Sequence, residues 1–146
     1  MRRILPARLT FLFLLILLVT VGQAVRFATG IAWRDTLEIY APNPGPIYIG
    51  ATGALWTLVG LFLILSIWIG AHWTRTAILI ASSLYSAWVW ADRLFVQAQM
   101  RANWPFDLLI TIIMLAFTAT VVLDPHNKIY FEREAYEREV KSPPSA

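Results

Sequence analysis

The sequence predicts an all-α integral membrane protein built as a four-helix bundle. Four stretches, residues 9–25, 47–71, 76–91 and 108–123, contain no charged residue. Apolar residues make up 58% of the chain and charged residues 14%, whereas about a quarter of the residues in a soluble domain are charged. A helix needs about 20 residues to cross a hydrocarbon core of ~30 Å. Four such helices occupy most of the 146 residues, so little chain remains for a folded domain outside the bilayer.

We predict two regions along the chain. Residues 1–124 form a four-span transmembrane domain, with helices at about 8–30, 47–71, 75–98 and 104–123. Residues 125–146 form a charged cytoplasmic tail, which begins after Asp124-Pro125 because the residue before a proline disfavours helical geometry. In this tail Glu134 and Arg138 are four residues apart in the favourable order, which predicts a short C-terminal helix over about 128–140.

The distribution of basic residues predicts the orientation. With four spans, twelve lysines and arginines divide eight to four between the two sides. Basic residues are enriched on the cytoplasmic side of membrane proteins, so both termini are expected in the cytoplasm (N-in, C-in), in a membrane such as the bacterial inner membrane. The cytoplasmic set comprises Arg2, Arg3, Arg8, Arg75, Lys128, Arg133, Arg138 and Lys141, and the opposite set Arg26, Arg34, Arg93 and Arg101.

The first apolar stretch has two interpretations. Its basic start and the small residues around Gly22-Gln23-Ala24 resemble a secretory signal peptide, which would be removed with residues 1–24 and leave three spans. The segment remains apolar beyond Arg26, through Phe27 to Trp33. We therefore favour a retained first helix, with the Arg26 side chain extending toward the headgroups.

Residues 31–46 predict a short segment at the extracytoplasmic interface. Trp33, Leu37 and Tyr40 follow helical spacing on one face, as in an amphipathic helix lying in the membrane surface, although an extended strand also fits Leu37 and Ile39. Three prolines, at 42, 44 and 46, then prevent helix continuation.

Small residues mark one face of the second span as a packing surface. Gly53, Thr57 and Gly60 recur at helical spacing, with Gly50 about one turn earlier. Small residues in register allow close helix–helix approach where lipid removes the hydrophobic incentive to pack. The following Gly70 and Thr74 predict a tight break and an antiparallel helical hairpin.

The third and fourth spans carry polar groups at their ends. Ser82 and Ser86 share a stripe with Arg93 and Gln97, so we expect the third helix to pack through these serines and to be the most enclosed of the four. At the fourth helix Asn103 is expected to cap the start, Pro105 suits the first turn, and Asp107 faces the positive end of the helix dipole.

A charged cluster near the outer boundary supplies the candidate ligand-binding residues. Ionisable groups within a membrane segment are functional candidates, and here they predict a pocket for a polar or anionic headgroup, or a proton relay between the two carboxylates. The alternative, which we favour, is that these groups form ion pairs and serve helix ends. The aromatic residues mostly fit interfacial belts, so an aromatic cage around Trp88 is the less favoured interpretation. The candidates are Arg26, Trp88, Asp92, Arg93, Arg101 and Asp107.

Several classes of chemistry lack sequence support. The chain has no cysteine, which excludes disulfides, thiolate nucleophiles and cysteine-ligated metals. His72 and His126 have no metal-binding spacing, and no basic stripe indicates nucleic-acid binding. We predict no catalytic residues, no metal and no cofactor.

The sequence favours a noncatalytic small membrane protein. The glycine face and the charged tail predict an accessory or assembly subunit, in contact with membrane lipids and with a larger protein partner or a second copy of itself. The alternative is a small oligomeric transporter or a lipid- or quinone-binding protein that uses the polar seam of the third helix. A weaker third possibility is an enzyme acting on a lipid headgroup.

Overall fold

The computed structural model describes residues 7–40, 44–96 and 103–125. Within these ranges the chain is helical and contains no strand, which confirms the all-α class. The described helices and turn are α1 (Ala7–Ala32), α2 (Arg34–Tyr40), α3 (Pro46–Ile69), α4 (Thr74–Ala91), a π-helical turn (Asp92–Val96) and α5 (Trp104–Leu123). The predicted C-terminal helix, Arg101 and His126 lie outside the described residues.

Three of the described helices, α1, α3 and α5, are long and apolar enough to cross a membrane. The coarse prediction of a membrane protein is thereby confirmed. The helix α4 is shorter, with 18 residues. It is also less apolar, because it carries Arg75 and three serines. The short helix α2 is exposed throughout most of its length and occupies the middle of the segment predicted at the interface.

The connection between α3 and α4 is a tight turn. Gly70 adopts a left-handed conformation (φ 68°), which favours glycine because it has no Cβ atom. Its N–H donates to the carbonyl groups of Ser66 and Ile67, which ends α3. The Thr74 hydroxyl then donates to the Ser66 carbonyl at 3.1 Å and ties the start of α4 to the end of α3.

Glycines bring α1 and α3 into backbone contact. A Cβ atom on Gly53 would lie 2.6 Å from the backbone nitrogen of Phe27, and one on Gly60 would lie 2.1 Å from the Thr20 hydroxyl oxygen. At Gly30 a Cβ atom would lie 2.7 Å from the backbone nitrogen of Gly50. The small-residue face of α3 therefore lies against α1 of the same chain.

The apolar core lies toward the end of the molecule that contains the α3–α4 turn. At this end Arg8 pairs with Asp124 at 3.0 Å, and Arg75 donates from Nε to the Val122 carbonyl at 2.8 Å, close to the end of α5. The buried core residues are Leu9, Leu12, Leu63, Ile67, Ile78, Val121 and Val122.

The expectation that the third predicted helix would be the most enclosed stays a prediction. In α4 the fully buried residues are Thr74 and Ile78, whereas α3 has seven, but six of the 18 residues of α4 are exposed against nine of the 24 of α3. Ser82 and Ser86 are half-buried and line a cavity between the helices. The close packing is made by α3, whose glycines remove the side chains that would hold α1 away.

Candidate functional site

The charged cluster predicted near the outer boundary forms two ion pairs in the structure, and Asp92 is the centre of the first. Its side chain is 8% exposed and lies at the start of the π-helical turn. The Tyr48 hydroxyl donates to Asp92 Oδ1 at 2.6 Å, and Arg26 Nη2 lies 3.9 Å from the same oxygen. The carboxylate is therefore held by groups from α1 and α3, and it joins the end of α4 to both helices.

Aromatic rings pack beside this pair. The Trp56, Tyr85 and Trp88 rings contact each other with centroid separations of 5.0–5.7 Å. The Arg26 guanidinium lies 5.0 Å from the centroid of the Trp88 ring, within the range of a cation–π interaction. The cation against Trp88 is therefore the protein's own arginine.

The second ion pair joins α4 to α5. Arg93 Nη1 donates to Asp107 Oδ2, and each of the two side chains is 24% exposed. The Arg93 guanidinium also lies 5.7 Å from the centroid of the Trp90 ring. Asp92 and Arg93 are adjacent in a π-helical turn and contact different helices, because successive side chains of a helix point in different directions.

We expect the Arg93–Asp107 pair to stabilise the α4–α5 contact. In a double-mutant cycle, Arg93→Gln and Asp107→Asn should show a coupling of about 1–2 kcal/mol, between the values typical of exposed and buried pairs. The measurement is reversible unfolding in detergent. The matched control is the exposed pair Arg34–Glu38, in which Arg34 Nε lies 3.1 Å from Glu38 Oε1. The coupling energy of this pair should be below about 0.5 kcal/mol. Equal coupling in the two pairs would contradict this role.

The start of α5 differs from the prediction. Asn103 makes no side-chain capping hydrogen bond. Its backbone carbonyl accepts from the N–H groups of Phe106 and Asp107 instead. Pro105 occupies the first turn as expected, so the proline and the Asp107 carboxylate mark this helix start without a side-chain cap.

A cavity of about 250 Å³, partly open to the outside, lies between the four long helices. Apolar side chains form most of its wall, and several hydroxyl groups interrupt that wall. Ser82 and Ser86 of α4 line it, and so do Thr20 of α1 and Thr111 and Thr118 of α5. Of the polar stripe predicted for the third span, the two serines line the cavity, whereas Arg93 pairs with Asp107 and Gln97 lies outside the described residues.

Two buried polar atoms near this cavity have no hydrogen-bond partner within the described residues. They are the Trp56 indole nitrogen and Gln23 Oε1. Both residues contact Tyr85, which lines the cavity: Gln23 Nε2 donates to the Tyr85 hydroxyl at 2.9 Å, and the Trp56 and Tyr85 rings pack edge to face. An unpaired buried polar group costs about 1–3 kcal/mol. Both atoms have under 1 Å² of accessible surface, so they lie behind the cavity wall.

The cavity is bordered on one side by exposed residues of α1 and α5. At one end these helices are joined by the Arg8–Asp124 pair and by an edge-to-face contact of Phe11 with Phe117, whose centroids lie 5.4 Å apart. Farther along, three lining residues are 37–40% exposed: Val19, Ile110 and Met114. We infer that this side opens laterally toward the surrounding membrane.

The structure brings the sequence-derived candidates together only in part. Arg26, Trp88 and Asp92 form one group, and Arg93 and Asp107 form a second. Gly50, Gly53 and Gly60 lie at the α1–α3 contact, where the Thr57 hydroxyl donates to the Gly53 carbonyl. The contribution of these small residues to stability and the ligand-binding role of the charged groups stay predictions.

The candidates that the sequence predicts leave out four residues around the unpaired atoms, namely Gln23, Tyr48, Trp56 and Tyr85. A usable signal exists for Gln23, because an amide inside an apolar span is costly unless it has a partner. Trp56 carries a weaker signal, because it lies away from the expected interfacial belts.

Comparisons of the chain with protein-family models, characterised proteins and solved structures gave no match.

Proposed function

We propose that this protein is a noncatalytic four-span membrane protein that binds an apolar membrane molecule in its central cavity. The observation that carries the proposal is a cavity of about 250 Å³ lined by all four long helices, with hydroxyl groups on an otherwise apolar wall. Ligand sites are typically concave and mostly apolar, with a few polar groups that fix orientation. A lipid or a quinone fits this description and is present in the membrane itself.

The placement of charges supports α4 as a fourth span. Sixteen uncharged residues separate Arg75 from Asp92, the same number that separates Asp107 from Asp124 in α5. At ~1.5 Å per residue both segments extend about 25 Å. Arg75 contacts the end of α5, and Asp92 contacts α1 and α3 at the opposite end. This arrangement favours a bundle with charged groups at both boundaries of one hydrocarbon layer.

The eight-to-four division of basic residues favours cytoplasmic termini, as in a bacterial inner-membrane protein. The topology can be tested directly because the chain has no native cysteine. Thr36→Cys, in α2, should react with a membrane-impermeant maleimide from the outside, and His72→Cys, in the α3–α4 turn, should react from the cytoplasm. Labelling of both positions from one side would contradict four spans.

An accessory role remains our second candidate, with less support than the sequence offered. The glycine face that predicted an external partner contacts α1 of the same chain. The charged tail, which also predicted docking, lies outside the described residues. A protein partner therefore stays a prediction.

We expect filling of the cavity to displace the bound molecule. Ser82→Leu places a larger side chain in the cavity wall, and Ser83→Leu is the matched control because Ser83 is exposed on the neighbouring position of α4. Native mass spectrometry of gently extracted protein should show a defined small molecule on the wild type and on Ser83→Leu. Its occupancy should fall at least about tenfold in Ser82→Leu, which corresponds to ~1.4 kcal/mol of binding free energy.

Two outcomes would contradict the proposal. The wild type could retain no small molecule, or both leucine variants could lose it equally. Reproducible heterologous subunits without a bound small molecule would favour the accessory role instead.

A further inference from the structure

We propose that the cavity recognises the hydroxyl group of an uncharged lipid alcohol through the side chains of Ser82, Ser86 and Thr118. This inference rests on the proposed function, since it names the polar group of the molecule that the cavity binds. An acylglycerol with a free hydroxyl and an isoprenoid alcohol share this chemistry.

The hydroxyl group of Thr118 is the first reason. Thr118 is 5% exposed and lines the cavity from α5. Its hydroxyl has no hydrogen-bond partner within the described residues. In contrast to the Trp56 nitrogen and Gln23 Oε1, this oxygen is not closed off from the surface. Because so little of Thr118 is exposed and the residue lines the cavity, its hydroxyl is open to that space.

Two serines of α4 supply further hydroxyl groups. Ser82 and Ser86 are half-buried, line the cavity and have no hydrogen-bond partner within the described residues. Hydroxyl groups in membrane helices often donate to a carbonyl of their own helix, as those of Thr20 and Thr111 do here. The cavity wall therefore carries three hydroxyl groups that the protein's own backbone does not satisfy.

The hydroxyl groups of α4 and α5 lie at a similar depth. The contacts at the two ends of these antiparallel helices set their register, which places Ser82 level with residues 115–118 of α5. Ser82 lies ~10 Å along α4 from Arg75 and ~15 Å from Asp92, at ~1.5 Å per residue. The three hydroxyl groups therefore form one polar patch in the middle part of the bundle, away from its charged ends.

The cavity wall restricts the charge of the ligand. No charged side chain lines the cavity among the described residues. The nearby aspartates, Asp92 and Asp107, are paired with Arg26 and Arg93. Moving a charge into apolar surroundings without a partner costs far more than moving a neutral polar group. A phosphate or carboxylate is therefore unsuitable, and the polar group that binds here is neutral.

An alcohol fits the three hydroxyl groups in either of their orientations. A serine or threonine hydroxyl has one proton and two lone pairs, and rotation can direct the proton to a carbonyl of its own helix. Its oxygen still accepts a hydrogen bond after this rotation, so a ligand that donates is always matched. A ligand that only accepts needs a proton that the helix can take.

The open side of the cavity gives the tail of this molecule an exit. A cavity of about 250 Å³ holds the hydroxyl-bearing end and a short apolar segment. A longer tail would leave between α1 and α5, past Val19 and Met114, which are exposed at the cavity border. The expected ligand is therefore a neutral alcohol with an apolar tail.

The first test compares decanol, decyl methyl ether and undecane with the full-length protein in detergent. These probes have similar chains, but the alcohol donates and accepts, the ether only accepts, and the alkane does neither. A molecule that binds the folded state raises the melting temperature. We expect decanol to raise it most. Each shift is compared with that of Ser82→Leu, because an alcohol also alters the detergent micelle.

The second test removes the hydroxyl groups. Thr118→Val and Ser82→Ala should each weaken decanol binding about 3- to 10-fold, as expected for one lost hydrogen bond, and leave the effect of undecane unchanged. Valine has nearly the shape of threonine, so the cavity keeps its size. The controls are Ser83→Ala, at an exposed position of α4, and Thr120→Val, whose exposed hydroxyl donates to the Phe117 carbonyl. Both should retain wild-type affinity.

Two natural types of alcohol distinguish the source of the hydroxyl group. Dioctanoylglycerol represents the acylglycerols, and geranylgeraniol represents the isoprenoid alcohols. The lipid with the larger shift that depends on Thr118 identifies the source. A shift with neither would contradict a lipid alcohol as the ligand.

The results separate the two proposals. If undecane stabilises the wild type as much as decanol does, and Ser82→Leu abolishes both effects, the cavity binds apolar molecules and hydroxyl recognition is overturned. Water molecules bound to the three hydroxyl groups would give that result. Equal effects of decanol and its ether would overturn the requirement for a donor. If no probe stabilises the wild type more than it stabilises Ser82→Leu, the proposed function fails as well.

Discussion

Gly53→Ala is expected to separate α1 from α3 and to destabilise the protein by about 2–3 kcal/mol, the upper part of the range for overpacking. The new Cβ atom would lie 2.6 Å from the Phe27 nitrogen, 2.9 Å from its Cα and 3.0 Å from the Gln23 carbonyl oxygen. All three are backbone atoms, so no side-chain rotation can relieve the contact. The measurement is the free energy of unfolding in detergent.

Gly50→Ala is the matched control for this change. It lies on the same face of α3, yet a Cβ atom there would have no neighbour within 4 Å. Alanine has a higher helix propensity than glycine by about 1 kcal/mol, so Gly50→Ala should be neutral or stabilising. Equal unfolding free energies for the two variants would contradict close α1–α3 packing at Gly53.

Asp92→Asn is expected to cost about 3 kcal/mol, the lower end of the range for removing one partner of a buried ion pair. The amide keeps the shape of the carboxylate but leaves the Arg26 charge without compensation, and the Arg26 side chain is 28% exposed. The Tyr48 hydroxyl would also donate to a neutral oxygen instead of a charged one, and such a hydrogen bond is weaker.

A second substitution should partly restore the stability lost in Asp92→Asn, and an exposed aspartate provides the control. Arg26→Gln combined with Asp92→Asn should recover part of the lost stability, because the uncompensated charge is then removed as well. The control is Asp35→Asn in the exposed helix α2, which should change stability by less than about 0.5 kcal/mol. A loss at Asp92 no larger than at Asp35 would contradict a structural role for the buried carboxylate.

The membrane class could be predicted from the sequence, because a helix that crosses the bilayer must have a minimum length and an apolar composition. Gly70 marked the end of α3 for a local reason, its left-handed conformation. The surroundings of Ser82 and Ser86 could not be predicted, because a serine in a membrane helix can pack against a neighbouring helix or line a cavity. The sequence of one helix does not distinguish these two positions, since they depend on how closely the other helices approach.

The candidate site could be predicted only in part, because its contacts also depend on how the helices pack together. Composition marked Arg26, Asp92, Arg93 and Asp107 as unusual near a membrane boundary, but either arginine can pair with either aspartate by sequence alone. The π-helical turn that contains Asp92 and Arg93 has no sequence signature. The contact of Trp56 with the cavity depends on the packing of four helices and not on its own helix.

The central claim is that the cavity holds a defined membrane molecule, and photo-methionine offers its most direct test. Met114 lines the cavity, and photo-methionine replaces it with nearly the same shape and a photoreactive group. In the double variant Ile113→Met, Met114→Ile the reactive group moves to a neighbouring position that is 51% exposed and lies outside the cavity lining.

After illumination in the native membrane, peptides covering this part of α5 are analysed by mass spectrometry. We expect one dominant small-molecule adduct at position 114 and a mixture of bulk lipids at position 113. The Ser82→Leu substitution should remove the dominant adduct. The same lipid mixture at both positions would contradict a ligand-binding cavity.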